Sequence, residues 1–166
     1  PVLSPDGKKL FFYSRRPATK NGEILSGIWF VERNDQGWSE PQRLDDLVDL
    51  KGVLWSVSET ADGDLFFGAT RQDGNGMSDI YQSRLVNGKY TKPQSLGPPV
   101  NTEFSEGTPV FAPDGSYFIF SADIREDGFG GADLFVCFRK QDGHWTEAIN
   151  MGARINSSSH ESSASI

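Results

Sequence analysis

Two short strings hold the residues best placed to do chemistry. "NTEFSE" runs from Asn101 to Glu106, and "NSSSHE" runs from Asn156 to Glu161. The Asn and the Glu of the first string recur in the second at one shared offset. A His beside carboxylates is a ligand set for a divalent cation. Asn101, Glu106, Asn156, His160 and Glu161 are therefore candidates for a polar rim that meets a ligand, a partner or a metal. The metal reading lacks support at two places. Ser105 stands where the second string has His160, and the matching position in the first third of the chain is Leu54. The pattern supports a binding rim with no metal assigned.

A second pair of strings suggests calcium. "DGNGMSD" (Asp73 to Asp79) and "DGFGGAD" (Asp127 to Asp133) also repeat, with both aspartates keeping one offset. Asp73, Asn75 and Asp79 are oxygen donors, but the spacing and the distal Glu of an EF-hand loop are missing. The structural alternative is a tight loop. Its glycines would supply positive φ, and Asp79 and Asp133 would accept backbone N–H bonds inside it. Arg15 and Arg71 end the segments that precede these loops, and Asp123 takes that place in the last third. Arg71 is expected to pair with a loop carboxylate such as Asp79, with an anion-contacting loop face as the rival reading.

Nucleophilic catalysis finds little here. There are two histidines, and His144 follows a glycine turn where a solvent-facing side chain is expected. No G-x-S-x-G elbow is present. The single cysteine, Cys137, sits in the apolar run "LFVCF" and reads as a small core residue. Sixteen Lys and Arg against 23 Asp and Glu give a net charge of −7, which argues against a nucleic-acid partner. No apolar run reaches the roughly 18 residues of a membrane helix. No cofactor motif is present.

The elements that must position these residues are strands. "SPDG", "TADG" and "APDG" mark turns at Gly7, Gly63 and Gly115, each followed by an apolar run: "KLFFYS", "DLFFGA" and "SYFIFS". Asp-Gly turns flanked by such runs predict hairpins. A loop leads to a third run, "GIWFVER", "DIYQSRL" or "DLFVCFR". A glycine turn at Gly37, Gly88 or Gly143 then leads to "WSEP", "YTKP" or "WTEA". Trp38, Tyr90 and Trp145 are in register, and are expected to pack between units, with sugar stacking as the rival reading. Only "LDDLVDLKG" (44–52) suits a turn or two of helix.

Four strands in about 50 residues, repeated three times, predict an all-β β-propeller with three consecutive four-stranded antiparallel blades. The repeats span about 1–54, 55–106 and 107–166. Innermost strands line a propeller's channel, which is why the two Asn…Glu strings are expected at its rim. Three blades do not close a ring of 4 to 8, and the two ends of the chain stop at the same phase of the repeat. That predicts either part of a six- to eight-bladed ring or two copies pairing into six blades. The first is favoured, because in a pair the N-terminal stub of one copy competes with the C-terminal strand of the other.

The pattern P-D-G-x-x-[L/I]-x-F-x-S followed by D-[I/L]-[Y/F] resembles the WD-like propeller repeat of the TolB type. The third copy, "PDGSYFIFS" with "ADLF", is clearest. Ala61 replaces Pro in the second, and Gly27 replaces Asp in the first. The resemblance implies a non-catalytic binding or scaffold module of a bacterial envelope or secreted protein, periplasmic or extracellular. Its ligand would be a protein or carbohydrate at the propeller face. Such repeats also occur in enzymes, as gating domains of serine peptidases or in polysaccharide lyases, and that alternative stays open.

Overall fold

The computed structural model describes residues 1–17, 24–44, 49–50 and 52–166, with backbone alone for 24–26 and 53–56. The candidate helical segment 44–52 therefore falls largely outside the described residues. Among the described residues there is no α-helix, and none long and apolar enough to cross a membrane.

The three Asp-Gly turns build three hairpins. In each, the glycine N–H closes the turn onto the residue three before it, Ser4, Thr60 or Ala112, at 2.8–2.9 Å. Gly7, Gly63 and Gly115 have φ of 67°, 83° and 67°. A side chain would be strained in that backbone region. Pro favours the second position of such a turn. Ala61 departs from it for a visible reason: its N–H donates to the Pro113 carbonyl of the next turn at 2.8 Å, a bond Pro cannot make.

The hairpins grow into three antiparallel units. In unit 1, β1 (Val2–Leu3), β2 (Lys9–Pro17) and β3 (Ile24–Asn34) are neighbours in that order. Both β4 (Gly37–Trp38) and β5 (Gln42–Arg43) pair with β3, which gives five strands where four were expected. Unit 2 comprises β6 (Val53–Glu59), β7 (Leu65–Ala69), β8 (Asp79–Ser83) and β11 (Gln94–Ser95), with β9 (Leu85–Val86) and β10 (Lys89–Tyr90) as a small ribbon beside it. Unit 3 comprises β12 (Glu106–Phe111), β13 (Tyr117–Asp123), β14 (Ala132–Phe138) and β15 (Ile149–Asn150).

The extra strands arise because the fourth strand is broken in every unit. Pro41 and Pro93 mark the break in two of them and cannot donate to a ladder. The break recurs at Ala148, so proline is not its whole cause. What all three share is a hydroxyl clamp. Ser39, Thr91 and Thr146 each donate their N–H to a carbonyl of the third-strand segment, on Glu32, Arg84 and Phe138. Each hydroxyl then accepts that same residue's N–H at 3.0 Å.

Packing follows strand alternation. Phe11, Ile28 and Phe30 of unit 1 meet Leu65, Phe67, Ala69 and Tyr81 of unit 2 in one cluster. The other face of unit 2, with Phe66 and Ile80, meets Phe111, Phe118, Phe120, Phe135 and Cys137 of unit 3. Phe111 stacks between Phe66 and Phe118 at 3.6 and 4.4 Å, and Trp145 sets its edge against Phe118 at 4.7 Å. Every residue of β7 is buried, whereas β13 alternates buried with half-buried. Among the described residues, unit 2 is covered on both faces and unit 3 on one, while Trp29 and Val31 are buried on the second face of unit 1.

Candidate binding face

The loops after the second strands and the loops before the first strands meet at one end of the units. The candidate rim and loop residues lie there. Asn101 and Asn156, expected at an open rim, are 2% and 3% exposed. Each amide grips both backbone groups of one third-strand residue. Asn101 Oδ1 accepts Ile80 N–H at 2.9 Å, and its Nδ2 donates to Ile80 O at 3.0 Å. Asn156 does the same to Leu134, at 2.9 Å in both directions. An amide carries an acceptor and two donors, so it satisfies a buried N–H and C=O together. These residues are internal braces.

Glu106 is also turned inward, at 0% exposed. Its carboxylate closes its own loop: Thr102 donates its hydroxyl at 2.5 Å and its N–H at 3.0 Å. Ser157 gives Glu161 the same pair of bonds at 2.6 and 3.0 Å. Glu106 has an additional partner in Arg125 Nη2, at 3.3 Å. That nitrogen also donates to the Val100 carbonyl. His160 is exposed, and its Nδ1 accepts the Ala132 N–H at 3.1 Å. Among the described residues, no three His, Cys, Asp or Glu gather at metal-binding distance. The Leu54 side chain lies outside the described residues. His144 is exposed, as its turn position suggests.

The Asp-Gly-x-Gly strings have a structural logic different from the one expected. None of Gly74, Gly76, Gly128 or Gly130 has a positive φ. They are glycines because something lies against them. A Cβ on Gly76 would collide with the carbonyls of Phe104 and Thr102, and one on Gly130 with the backbone of Ser157 and Ser158. Gly74 and Gly128 leave room for the carboxylates of Asp79 and Asp133. Asp79 Oδ2 accepts the N–H groups of Asn75 at 2.8 Å and Gly76 at 3.3 Å, and Asp133 Oδ2 accepts that of Phe129 at 2.6 Å. The string is the seat on which the next loop rests. Its oxygens do not converge as calcium ligands, since Asp73 instead faces Tyr81 Oη at 3.2 Å and Arg71 Nε at 3.5 Å.

Arginines recur at this end, Arg71 where the repeat register puts it and the other two displaced from it. Arg16 lies over Phe12 and Trp29, Arg71 over Tyr81, and Arg125 over Phe120 and Phe135, all at 5.0–5.4 Å. Arg125, not Asp123, is thus the third member, and Arg16, not Arg15, the first. Their shared signal is an aromatic surface on the strands beneath, which offers a π face to a guanidinium. Arg71 pairs with Asp49 at 3.0 Å and Asp73 at 3.5 Å, and not with Asp79. Burial, with the charges of Asp73 and Asp79, pushes the Tyr81 phenol up to about 12.

Two clefts open between these loops. One of about 480 Å³ is lined by Asp49, Arg71, Asp73 and Lys92 among others. The other, about 460 Å³, has Phe104 and Ile124 beside Arg125, with Glu103, Glu126 and Asp127 around them. Ile124 is 62% exposed and sits at φ 53°. That region is a true outlier for a β-branched side chain, and such strain concentrates at ligand sites. The aromatic trio behaves unevenly: Tyr90 and Trp145 pack against the two inter-unit clusters, while Trp38 is 46% exposed.

Comparison with solved structures finds a similar fold in the crystal structure of TolB from Acinetobacter baumannii, with a TM-score of 0.55 and 17% identity. The match covers 89% of this chain and 31% of the TolB chain, so the chain spans about a third of the length of that structure. No family model matches the sequence, and no curated protein matches it. The chain has an all-β, TolB-like fold of antiparallel sheets.

Proposed function

We propose that this chain is a non-catalytic binding module built from propeller blades, presenting the loop end to a protein ligand. The observation that carries it is how the polar groups of this end are used. Asp79, Asp133, Glu106, Glu161, Arg71 and Arg125 each have an internal partner, although Oδ1 of Asp79 and of Asp133 is buried without a hydrogen bond. What faces outward is a shaped surface: a cleft with strained, exposed Ile124 and neighbouring Phe104, rimmed by carboxylates. An apolar floor with an acidic rim suits an aliphatic side chain flanked by cations. A carbohydrate would call for an aromatic platform; Tyr90 and Trp145 are half-buried against the inter-unit clusters, and the exposed Trp38 does not line this cleft. The alternatives, a polysaccharide lyase or the gating domain of a serine peptidase, call for further channel ligands and for a separate hydrolase domain respectively. A periplasmic or extracellular location, and membership of a six- to eight-bladed ring, rest on the resemblance and the fold.

The test is selection of phage-displayed peptides and screening of a glycan array against the purified chain, repeated with Ile124→Asp. Peptides that bind the chain and lose at least tenfold in affinity with Ile124→Asp support the reading. Ligands indifferent to Ile124→Asp, glycans as the only ligands, or cleavage of any ligand would overturn it.

A further inference from the structure

The two clefts of the loop end are one feature built twice. Thr70, Arg71 and Asp73 of the first stand at one shared offset from Ile124, Arg125 and Asp127 of the second. Asp49 and Glu103 keep the same offset. In each cleft the arginine lies over an aromatic ring and is held by a carboxylate: Arg71 by Asp49 at 3.0 Å, and Arg125 by Glu106 at 3.3 Å. The clefts are neighbours across a single ridge. Thr70 Oγ1 donates to the Met77 carbonyl at 2.9 Å, and the Met77 N–H donates to the Phe104 carbonyl at 2.8 Å. Thr70 lines one cleft and Phe104 the other, so Met77 stands between them. Its side chain is 58% exposed. A flexible, polarisable Met suits a surface that must follow the outline of a ligand.

What differs between the clefts is the rim. Thr70 stands where the second cleft has Ile124, and Gln72 where it has Glu126. The first cleft is therefore polar where the second is apolar, and it has one carboxylate fewer at that place. Its arginine is matched by Asp49 and Asp73. Lys92, exposed at the same cleft, has no carboxylate partner among the described residues. In the second cleft it is Glu103, Glu126 and Asp127 that have no cationic partner among the described residues. Two adjacent clefts thus offer uncommitted charge of opposite sign. Such complementarity fixes the register and direction of a bound partner more than it adds raw affinity.

We propose that the cleft of Thr70, Arg71 and Lys92 is a second subsite for the same ligand, and that this ligand is an extended peptide of dipolar pattern. An aliphatic side chain with a neighbouring cation occupies the Ile124 cleft. The peptide then crosses the ridge at Met77 and sets an Asp or Glu side chain against Lys92. The opposed charges allow one direction of the peptide and oppose the reverse. This rests on the reading of the Ile124 cleft as a peptide site and adds to it the second cleft, the acidic residue and the direction.

The probes are linear phage-selected peptides, synthesised and titrated against the chain and its variants, with a cooperative melt confirming that each variant is folded. Peptides weakened by Ile124→Asp should carry an Asp or Glu apart from their aliphatic residue. They should also lose at least fivefold in affinity with Lys92→Glu. Exchanging that acidic residue of the peptide for Lys should restore binding to Lys92→Glu and weaken binding to the unaltered chain. Lys8→Glu, an exposed site at the opposite, turn end, makes the same change of net charge and should leave affinity unchanged. Peptides that need Ile124 but are indifferent to Lys92→Glu would overturn the second subsite and leave the first standing. Equal losses with Lys92→Glu and Lys8→Glu, or no recovery with the exchanged charge, would overturn it as well. Peptides indifferent to Ile124→Asp would overturn both readings.

Discussion

Glu106 and Glu161 show how one residue in one local setting acquires opposite properties. Thr102 and Ser157 give them the same two hydrogen bonds. Burial pushes the Glu106 carboxyl above its usual 4.5, outweighing Thr102 and Arg125. Glu161 stands nearer water, and the Ser157 hydroxyl and N–H draw it below 4.5. A carboxyl raised on folding makes the folded state bind more protons. Stability from Glu106 is therefore greatest below pH 4.5 and falls as pH rises from there to its raised value. For Glu161 the order reverses: its contribution is present above pH 4.5 and is lost as pH falls through its lowered value. Urea unfolding at successive pH values reads both. Glu106→Gln should remove a decline that begins above pH 4.5, and Glu161→Gln one that lies below it. Matching pH profiles for the two variants would contradict the opposed environments.

At the scale of elements, loops are held both by one another and by strands. The 73–79 string supports the 102–104 loop by backbone contact, and Asn101 locks that loop to β8. Such contacts depend on the absence of a side chain at a chosen place. Gly76→Ala should destabilise by on the order of 1–3 kcal/mol, because the colliding atoms are backbone carbonyls that cannot move aside. Gly107→Ala is the control: a Cβ there meets only Ser121 Oγ, at 3.9 Å, and φ is not positive. Its effect in chemical denaturation should be near zero. Equal losses at the two positions would show that glycine at 76 serves chain conformation and not close approach.

For the whole molecule, each unit touches only its neighbours through an apolar layer, so stability should be a sum of units and interfaces. Cys137 is a built-in reporter. It is fully buried between units 2 and 3, and burial pushes its thiol up to about 12, where it is a poor nucleophile. Alkylation of the native chain should be slow and limited by opening of that interface. Phe111→Ala removes the ring stacked between Phe66 and Phe118 and should cost about 3–5 kcal/mol, speeding alkylation strongly. Phe11→Ala, in the other interface, should speed it much less. Equal acceleration by both would mean that the three units open as one.

The sequence by itself determined the strands, the turns and their threefold recurrence. These follow from local rules: Asp-Gly turns, alternation of apolar residues, and one order repeated with fixed offsets. The shared offset of Asn101/Asn156 and Glu106/Glu161 was visible too, but not its meaning. Whether an Asn lies on a rim or inside is decided by which backbone comes within hydrogen-bonding distance of it, and here that backbone belongs to an earlier strand. The glycines of the strings were legible as necessary, yet their cause is a neighbouring loop and not their own φ. Repeat register points to Asp123 and not to Arg125, because the equivalence of Arg125 to Arg16 and Arg71 rests on the aromatic surface beneath it, formed across strands, and not on its distance from a turn. Tertiary structure alone decided which faces are covered. Unit 2 is buried on both sides because it has two neighbours, and an alternating apolar strand carries no record of how many neighbours it will meet.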